Sequence, residues 1–333
     1  MKYSFLVVIS VLLGSSSCET TKKEEETTHL TALDSIIESM EIELSVLEDE
    51  MKKMAAFSSL LFKNQGGVKR NEDIGQIVAK EDSAFLQSDK FNTKSTVYIS
   101  SLSPNKEEVI RQVHYTAKMD SVFHETIQEF PLISQVYFNS RLQYSRLYPP
   151  YDHLSTLGKN LDITAFNFYY LGDETRNPKK GPVWVKEVYI DPAGRGWILS
   201  LIHPVYHQKQ LEGVMGIDIT LSDLMDNFLN KSEKKIFIID EKGTIVAGKS
   251  ESIEALSMPP LRNHTYIQTI NSNSFRKEDF NLFKSKSKEV RQMASRFLLE
   301  KKHFFLVESG IKPYHAYCRK INLLNWYLIE LDI

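Results

Sequence analysis

Only two of the 333 residues are cysteine, Cys18 and Cys318, so no disulfide framework braces this chain. If Cys18 is consumed by other chemistry, no intramolecular bridge is possible. Cys318 lies in an apolar C-terminal stretch and reads as a small core residue. An excess of either charge is also missing. With 41 basic and 43 acidic residues the formal net charge is −2, and no basic stripe stands ready to neutralise a phosphate backbone. Nucleic acid is therefore not an expected partner. Beyond the N-terminus no stretch approaches the roughly 18 apolar residues of a membrane span.

Catalytic signatures are equally scarce. There is no Gly-x-Ser-x-Gly elbow, no glycine-rich phosphate loop and no zinc-spaced cysteine set. His124-Glu125 begins like a zinc-protease helix, but Gln128 stands where the second histidine belongs, so the ligand geometry fails. His203, followed by Pro204 in an apolar run, reads as a core histidine. The sequence therefore predicts no catalytic residues, no metal ligands and no cofactor, and the chain is read as a protein that is not an enzyme.

What is present begins at the N-terminus. Lys2 precedes an apolar run from Phe5 to Leu13, followed by Gly14, three serines and Cys18. This reads as a secretory signal peptide over residues 1–17, its apolar run far shorter than the roughly 20 residues that span a bilayer. Small residues leading to a cysteine resemble a lipoprotein processing site, although Ser15 occupies the position where leucine is usual. The expectation is an exported protein held by a lipid on Cys18 at the bacterial cell envelope, on its periplasmic or outer-membrane face. A secreted form and an uncleaved anchor are the alternatives. Glu19 to Thr28, a run of Thr, Lys and Glu with nothing to bury, predicts a solvated tether within residues 18–30.

From Leu33 the apolar residues recur in steps of four and three: Ile37, Met40, Leu44, Leu47, Met51, Met54 and Leu61, with Ser58 breaking the series. The spacing predicts an amphipathic helix of about 30 residues ending near Gly66-Gly67. Its stripe suits either packing along the protein's own sheet or a seam between two copies, hence a homodimer. A second helix is expected over Lys106 to Phe130, stopped by Pro131. Strand-like runs cover Ser95–Ser100, Ile133–Asn139, Trp197–Tyr206 and Val214–Thr220, rich in β-branched and aromatic residues. Thr220 with Asp223 reads as a helix cap. A hairpin is expected across Asp240-Glu241-Lys242-Gly243, then a helix near Ser285–Glu300 and strands at Phe304–Ser309, His315–Lys320 and Trp326–Leu331. The fold class is α+β: a long helix with one lobe over residues 31–232 and a second over 233–333, each PAS-like and built on a central antiparallel sheet.

The run Gly181-Pro-Val-Trp184, Tyr189-Ile-Asp191, Pro192-Ala-Gly194, Ser200, Pro204-Val-Tyr206 and Gly213-Val-Met-Gly216-Ile-Asp218-Ile-Thr resembles the membrane-distal half of double Cache domains. Those are extracytoplasmic ligand-binding modules of bacterial chemoreceptors and sensor kinases. Val136-Tyr137-Phe138 through Pro149 is similar to the family's central strand pair, and Asn325-Trp326-Tyr327 to its terminal strand. The resemblance implies a small-ligand sensor, here in a lipoprotein setting without a transmembrane or kinase region. In the amino-acid-binding branch a Tyr-x-Asp and a later Asp hold the ligand's amino group, which Tyr189, Asp191 and Asp218 match. Carboxylates and aromatic faces suit an ammonium group. Where that branch has Arg-x-Trp-Tyr for the ligand carboxylate, this chain reads Asn167-Phe168-Tyr169-Tyr170, with no arginine. The implied ligand-binding set is Tyr169, Tyr170, Trp184, Tyr189, Asp191 and Asp218, with Arg146 on a neighbouring strand as the residue to compensate and Leu171–Lys180 as a lid. Structural roles stay open for each: a turn at Asp191, a backbone-bonded carboxylate at Asp218, core aromatics elsewhere. Besides a small ligand and a membrane signalling protein as partners, the residues also leave open a structural or adhesive lipoprotein with a lapsed pocket, or a carrier delivering ligand to a membrane receptor.

Overall fold

The computed structural model describes the backbone of residues 4–64, 77–80, 83–86, 94–150, 158, 160–192, 194–308 and 312–333. Side chains are described over the same ranges from residue 23 onward, except in 77–80 and 83–86. The expected signal-peptide cleavage and the lipidation of Cys18 fall outside the described side chains. Among the described residues no helix is long and apolar enough to cross a membrane.

Helix α1 (Ser4–Lys63) is 60 residues long, about double the expected length, because the segment read as a tether is helical too. Lys and Glu are good helix formers, and the threonines among them are accommodated by bonding back to the preceding turn. Thr27 and Thr28 donate to the carbonyls of Lys23 and Glu24 at 2.7 and 2.9 Å. The apolar stripe is buried within the chain itself, with Leu33, Met40, Leu44 and Met51 fully enclosed. It is therefore not available as a seam to a second copy; among the described residues of α1 the exposed large apolar ones are Ile42, Val46 and Leu60.

The chain divides into two compact units, residues 1–42 with 228–333, and residues 43–227. In the second of these, an eight-stranded antiparallel sheet has the order β1-β2-β3-β5-β4-β8-β7-β6. Its strands are β1 (Ile77–Lys80), β2 (Ser83–Leu86), β3 (Thr96–Ile99), β4 (Gln135–Ser140), β5 (Tyr144–Tyr148), β6 (Val183–Ile190), β7 (Trp197–His207) and β8 (Gln210–Thr220). The expected second helix is two, α2 (Lys106–Tyr115) and α3 (Met119–Glu129), joined by a turn at Thr116–Lys118. Thr116 lies buried at that joint, its hydroxyl bonded back to the Gln112 carbonyl at 2.7 Å. Asn105 caps α2 by accepting from the Glu108 N–H. Strand β6 has no counterpart among the strand-like runs of the sequence. Lys186 and Glu187 are exposed in its middle and interrupt the apolar pattern, as an edge strand tolerates.

Alternation along the strands gives this sheet two different faces. On β4, Phe138 turns to one face, where its ring meets Phe62 of α1 at 5.7 Å between centroids. Tyr137 turns to the other, where its ring covers Gly216 of β8. A Cβ at Gly216 would lie 2.0 Å from Tyr137 Cζ, so only glycine fits there. Two short helices complete this unit: α4 (Asn167–Tyr170), and α5 (Leu221–Leu224), whose cap is Thr220 accepting from the Asp223 N–H at 3.0 Å.

The other unit carries a five-stranded antiparallel sheet, β10-β9-β13-β12-β11, built from β9 (Ile236–Ile239), β10 (Ile245–Gly248), β11 (Phe304–Val307), β12 (Tyr314–Ile321) and β13 (Trp326–Asp332). The β9–β10 hairpin turns where Gly243 has φ +82° and Asp240 accepts from the Lys242 and Thr244 N–H groups. Between β10 and β11 lie α6 (Ser250–Glu254), α7 (Tyr266–Ile270) and α8 (Lys288–Leu298), the last capped by Ser287. Cys318 is buried on β12, its thiol pushed up to about 12 by burial.

Candidate functional site

A small cavity opens on the Tyr137 face of the eight-stranded sheet. Its wall comes from alternate residues of the strands: Tyr98 of β3, Gln135, Tyr137 and Asn139 of β4, Ser145 and Leu147 of β5, Tyr189 of β6 and Asp218 of β8. Leu161, Ile163 and Phe168 close it from one connection, and Asp191 with Pro192 from the β6–β7 turn.

The β6–β7 turn is built to present Asp191. The Asp191 N–H donates to the Gly196 carbonyl at 2.8 Å, Gly194 and Gly196 take positive φ, and Asp191 Oδ2 accepts from the Arg195 N–H at 3.3 Å. The Arg195 guanidinium donates to the carbonyls of Ser134 and Pro149, which draws the turn over the end of β4. Asp218 comes from the middle of the sheet, opposite Gln135 on one side and Ser200 on the other. Ser200 donates to Asp218 Oδ1 at 2.5 Å, and the Tyr189 hydroxyl lies 2.6 Å from Ser200 Oγ, so the three form one hydrogen-bonded row. Gln135 Nε2 reaches Asp218 Oδ2 at 3.5 Å. Asp191 and Asp218 are 4% and 2% exposed. Burial, and next the Asp191 charge, push the Asp218 carboxyl well above the usual carboxylate range; the Ser200 bond and Arg195 oppose this. Gln135 Oε1 is buried at the cavity with no hydrogen-bond partner among the described residues. Such an atom is costly to bury unless something else satisfies it.

Of the residues singled out in the sequence, Tyr189, Asp191 and Asp218 meet at this cavity; the other four do not. Arg146 sits between Ser145 and Leu147 on β5 and so points to the helix-covered face. There it donates to Asp120 Oδ1 at 2.7 Å and the Val113 carbonyl at 2.8 Å. It is in no position to compensate for the missing arginine. Trp184 faces the same helical side, its indole N–H donating to Glu48 of α1 at 2.9 Å. Tyr169 is buried in the apolar core beside the cavity, with Tyr137, Ile202 and Val214. Tyr170 is 37% exposed under the Arg176 guanidinium, 4.8 Å from its ring centre. It is Phe168 of this stretch that lines the cavity, its ring 5.8 Å from that of Tyr189. The segment Leu171–Lys180 does not border the cavity. It is fastened by an Asp173–Arg176 pair, and Lys180 lies over the Tyr206 ring. Tyr98, Gln135, Tyr137, Asn139, Ser145 and Phe168 were not foreseen; Tyr137, between apolar neighbours, carried no signal distinguishing it from core. His124 bonds the Tyr148 hydroxyl at 2.6 Å, and His203 is half-buried against the Pro204 carbonyl at 2.8 Å, its pKa lowered by burial.

Chemically the cavity offers two carboxylates, hydroxyl and amide groups and four aromatic rings, with no lysine or arginine side chain among its lining residues. That set receives a small polar molecule bearing positive charge better than one bearing negative charge.

No family model matches the chain, and no curated protein matches it in sequence. Solved structures do. The sensory domain of the Campylobacter jejuni chemoreceptor Tlp3, with isoleucine bound, matches with a TM-score of 0.53 and 13% identity over 95% of this chain and 94% of that one. The ligand-binding domain of the Pseudomonas fluorescens chemoreceptor CtaA matches in its L-isoleucine complex with a TM-score of 0.55 and 12% identity, over 94% of each chain. Its L-alanine complex gives 0.52 and 14%, over 92% of this chain and 96% of that one. At these identities the likeness is one of architecture: this chain has the double Cache fold of chemoreceptor sensory domains.

Proposed function

We propose that the chain is an extracytoplasmic, lipid-anchored sensor protein that binds an amine or amino-acid-like small molecule in the cavity of the 43–227 unit. The observation that carries this reading is the meeting of Asp191 and Asp218, both almost fully buried, at one aromatic-walled cavity. Two neighbouring carboxylates are expensive to enclose. A ligand ammonium group offsets that expense, and Tyr189, held through Ser200, adds an aromatic face beside it. A structural lipoprotein with a lapsed pocket has no need of this convergence. The solved neighbours named for bound isoleucine and alanine support a small-ligand role. The cavity contains no nucleophile and base paired in an open position, since Ser200 is enclosed between Tyr189 and Asp218, so the reading is of binding without catalysis. Signalling then requires that ligand binding favour one conformation over another and that a membrane partner distinguish the two.

The test is a thermal-shift screen of the purified protein against amines, amino acids, nucleobases and small carboxylates, repeated with Asp218→Asn. A ligand at 100 times its Kd stabilises by about 2.7 kcal/mol. A shift caused by an amine-bearing compound and abolished in the variant supports the reading. A panel that moves neither protein overturns it.

A further inference from the structure

A second group of ionisable side chains gathers in the unit of residues 1–42 and 228–333, between α1 and the last strand. Glu25 and His29 stand four residues apart on α1 and therefore share a helix face. Asp332 ends β13. One ligand atom from each of these three residues lies within 4.8 Å of the other two, and His29 Nε2 is 4.0 Å from Asp332 Oδ2.

The histidine is held in one orientation. Its Nδ1 bonds Glu330 Oε1 at 2.8 Å, an oxygen that also accepts from Lys234 Nζ at 2.6 Å. Its ring lies flat on Tyr317, centroids 4.3 Å apart and planes 4° from parallel. Glu330 is 3% exposed, and its second oxygen has no hydrogen-bond partner among the described residues. With Nδ1 held by the Glu330 carboxylate and the Lys234 ammonium, the latter 3.2 Å away, Nε2 is the ring nitrogen turned toward Asp332. The local charge is lopsided. Four carboxylates, Asp332, Glu25, Glu330 and Glu26, act on the Tyr317 hydroxyl, whereas Lys234 is the ammonium bonded to Glu330.

We propose that Glu25, His29 and Asp332 form a divalent transition-metal site of the zinc type, with Glu330 as the outer carboxylate that orients the His29 ring. Imidazole with two carboxylates is a donor set for zinc-like ions rather than for calcium or magnesium, which take oxygen alone. Three protein ligands leave a fourth tetrahedral position for water. Ligand atoms about 2.0–2.2 Å from one zinc are roughly 3.4 Å apart, so the exposed Glu25 and Asp332 need only small side-chain rotations to close on His29. Carboxylate, imidazole and metal in line is the arrangement by which a buried acid strengthens a histidine ligand. Metal there would fasten α1 to β13 and relieve the crowding of like charge.

The test is isothermal titration of zinc chloride into chelator-treated full-length protein, with calcium and magnesium chlorides as separate titrants. Glu25→Gln and Asp332→Asn remove ligands from exposed positions while leaving the His29–Glu330 contact in place, and circular dichroism verifies that both variants are folded. One zinc per chain, bound at least tenfold more weakly in each variant and unchanged in Asp218→Asn, is the expected result. Absence of zinc binding, affinity unchanged in the two variants, or preference for calcium or magnesium overturns the proposal.

Discussion

Ser200 and Asp218 face each other across the β7–β8 pair and share a 2.5 Å hydrogen bond that ties the buried acid to the Tyr189 hydroxyl. The bond favours the ionised form of Asp218, while burial and Asp191 oppose it more strongly, so the carboxyl keeps a raised pKa.

An acid whose folded pKa lies above its unfolded value holds a proton in the folded state that the unfolded chain releases. Its contribution is fully present below the unfolded pKa of about 4 and is lost as pH rises towards the folded pKa. Asp218→Asn cannot ionise and should flatten this decline. Urea titrations of wild type and variant across that window should diverge by up to about 1.4 kcal/mol per pH unit, the variant being the more stable at the upper end. Parallel profiles would show that Asp218 does not carry the linkage.

Gly216 lies under the Tyr137 ring, and a Cβ there meets Cζ at 2.0 Å. Gly216→Ala should lower stability by about 1–3 kcal/mol through overpacking and displace Tyr137 from the cavity wall. Denaturant unfolding reads the first effect, and loss of the ligand-induced thermal shift reads the second. A variant as stable as wild type would contradict the close packing.

Arg146 and Trp184 should separate stability from binding. Arg146→Met strips Asp120 and the Val113 carbonyl of a buried partner and should cost about 3 kcal/mol, as breaking a buried pair does. Ligand affinity of the folded fraction should stay within about twofold, because the guanidinium lies on the opposite face of the sheet. A much larger fall in affinity would place Arg146 in the binding machinery after all.

Trp184→Phe removes the donor to Glu48 and should destabilise by about 1.5–3 kcal/mol while leaving the cavity intact. The check pairs chemical unfolding with ligand titration; reduced affinity at unchanged stability would be the contrary result.

The legible part of this protein was whatever depends on local periodicity. The stripe from Leu33 to Met54 marked α1, the turn at Asp240–Gly243 marked its hairpin, and Thr220 with Asp223 marked a cap. The full extent of α1 was not legible, because Glu19–Thr28 has no apolar stripe, and helicity there rests on propensity and side-chain back-bonding. In the candidate site, Tyr189, Asp191 and Asp218 were readable through resemblance. Arg146 and Trp184 went astray for a common reason: nearness in sequence to a pocket residue says nothing about which face of the sheet a side chain takes, whereas Tyr169 is on α4 and turns into the apolar core beside the cavity. A shift of one residue along β5 separates Ser145, at the cavity, from Arg146, against α2 and α3. Register decides this, and register was not visible before the strands were paired.

The two acids of the cavity differ in how freely their surroundings can change. Asp218 stands on an interior strand paired on both sides, where an insertion would flip every neighbouring side chain to the wrong face. Asp191 belongs to the turn that joins the edge strand β6 to β7, and a turn at an edge can lengthen, shorten or change composition without disturbing any other pairing. The cavity thus has an immovable floor and an editable rim. Among chains sharing this architecture, new ligand preferences should accumulate at the rim, while the floor retains the buried acid that makes the cavity worth keeping.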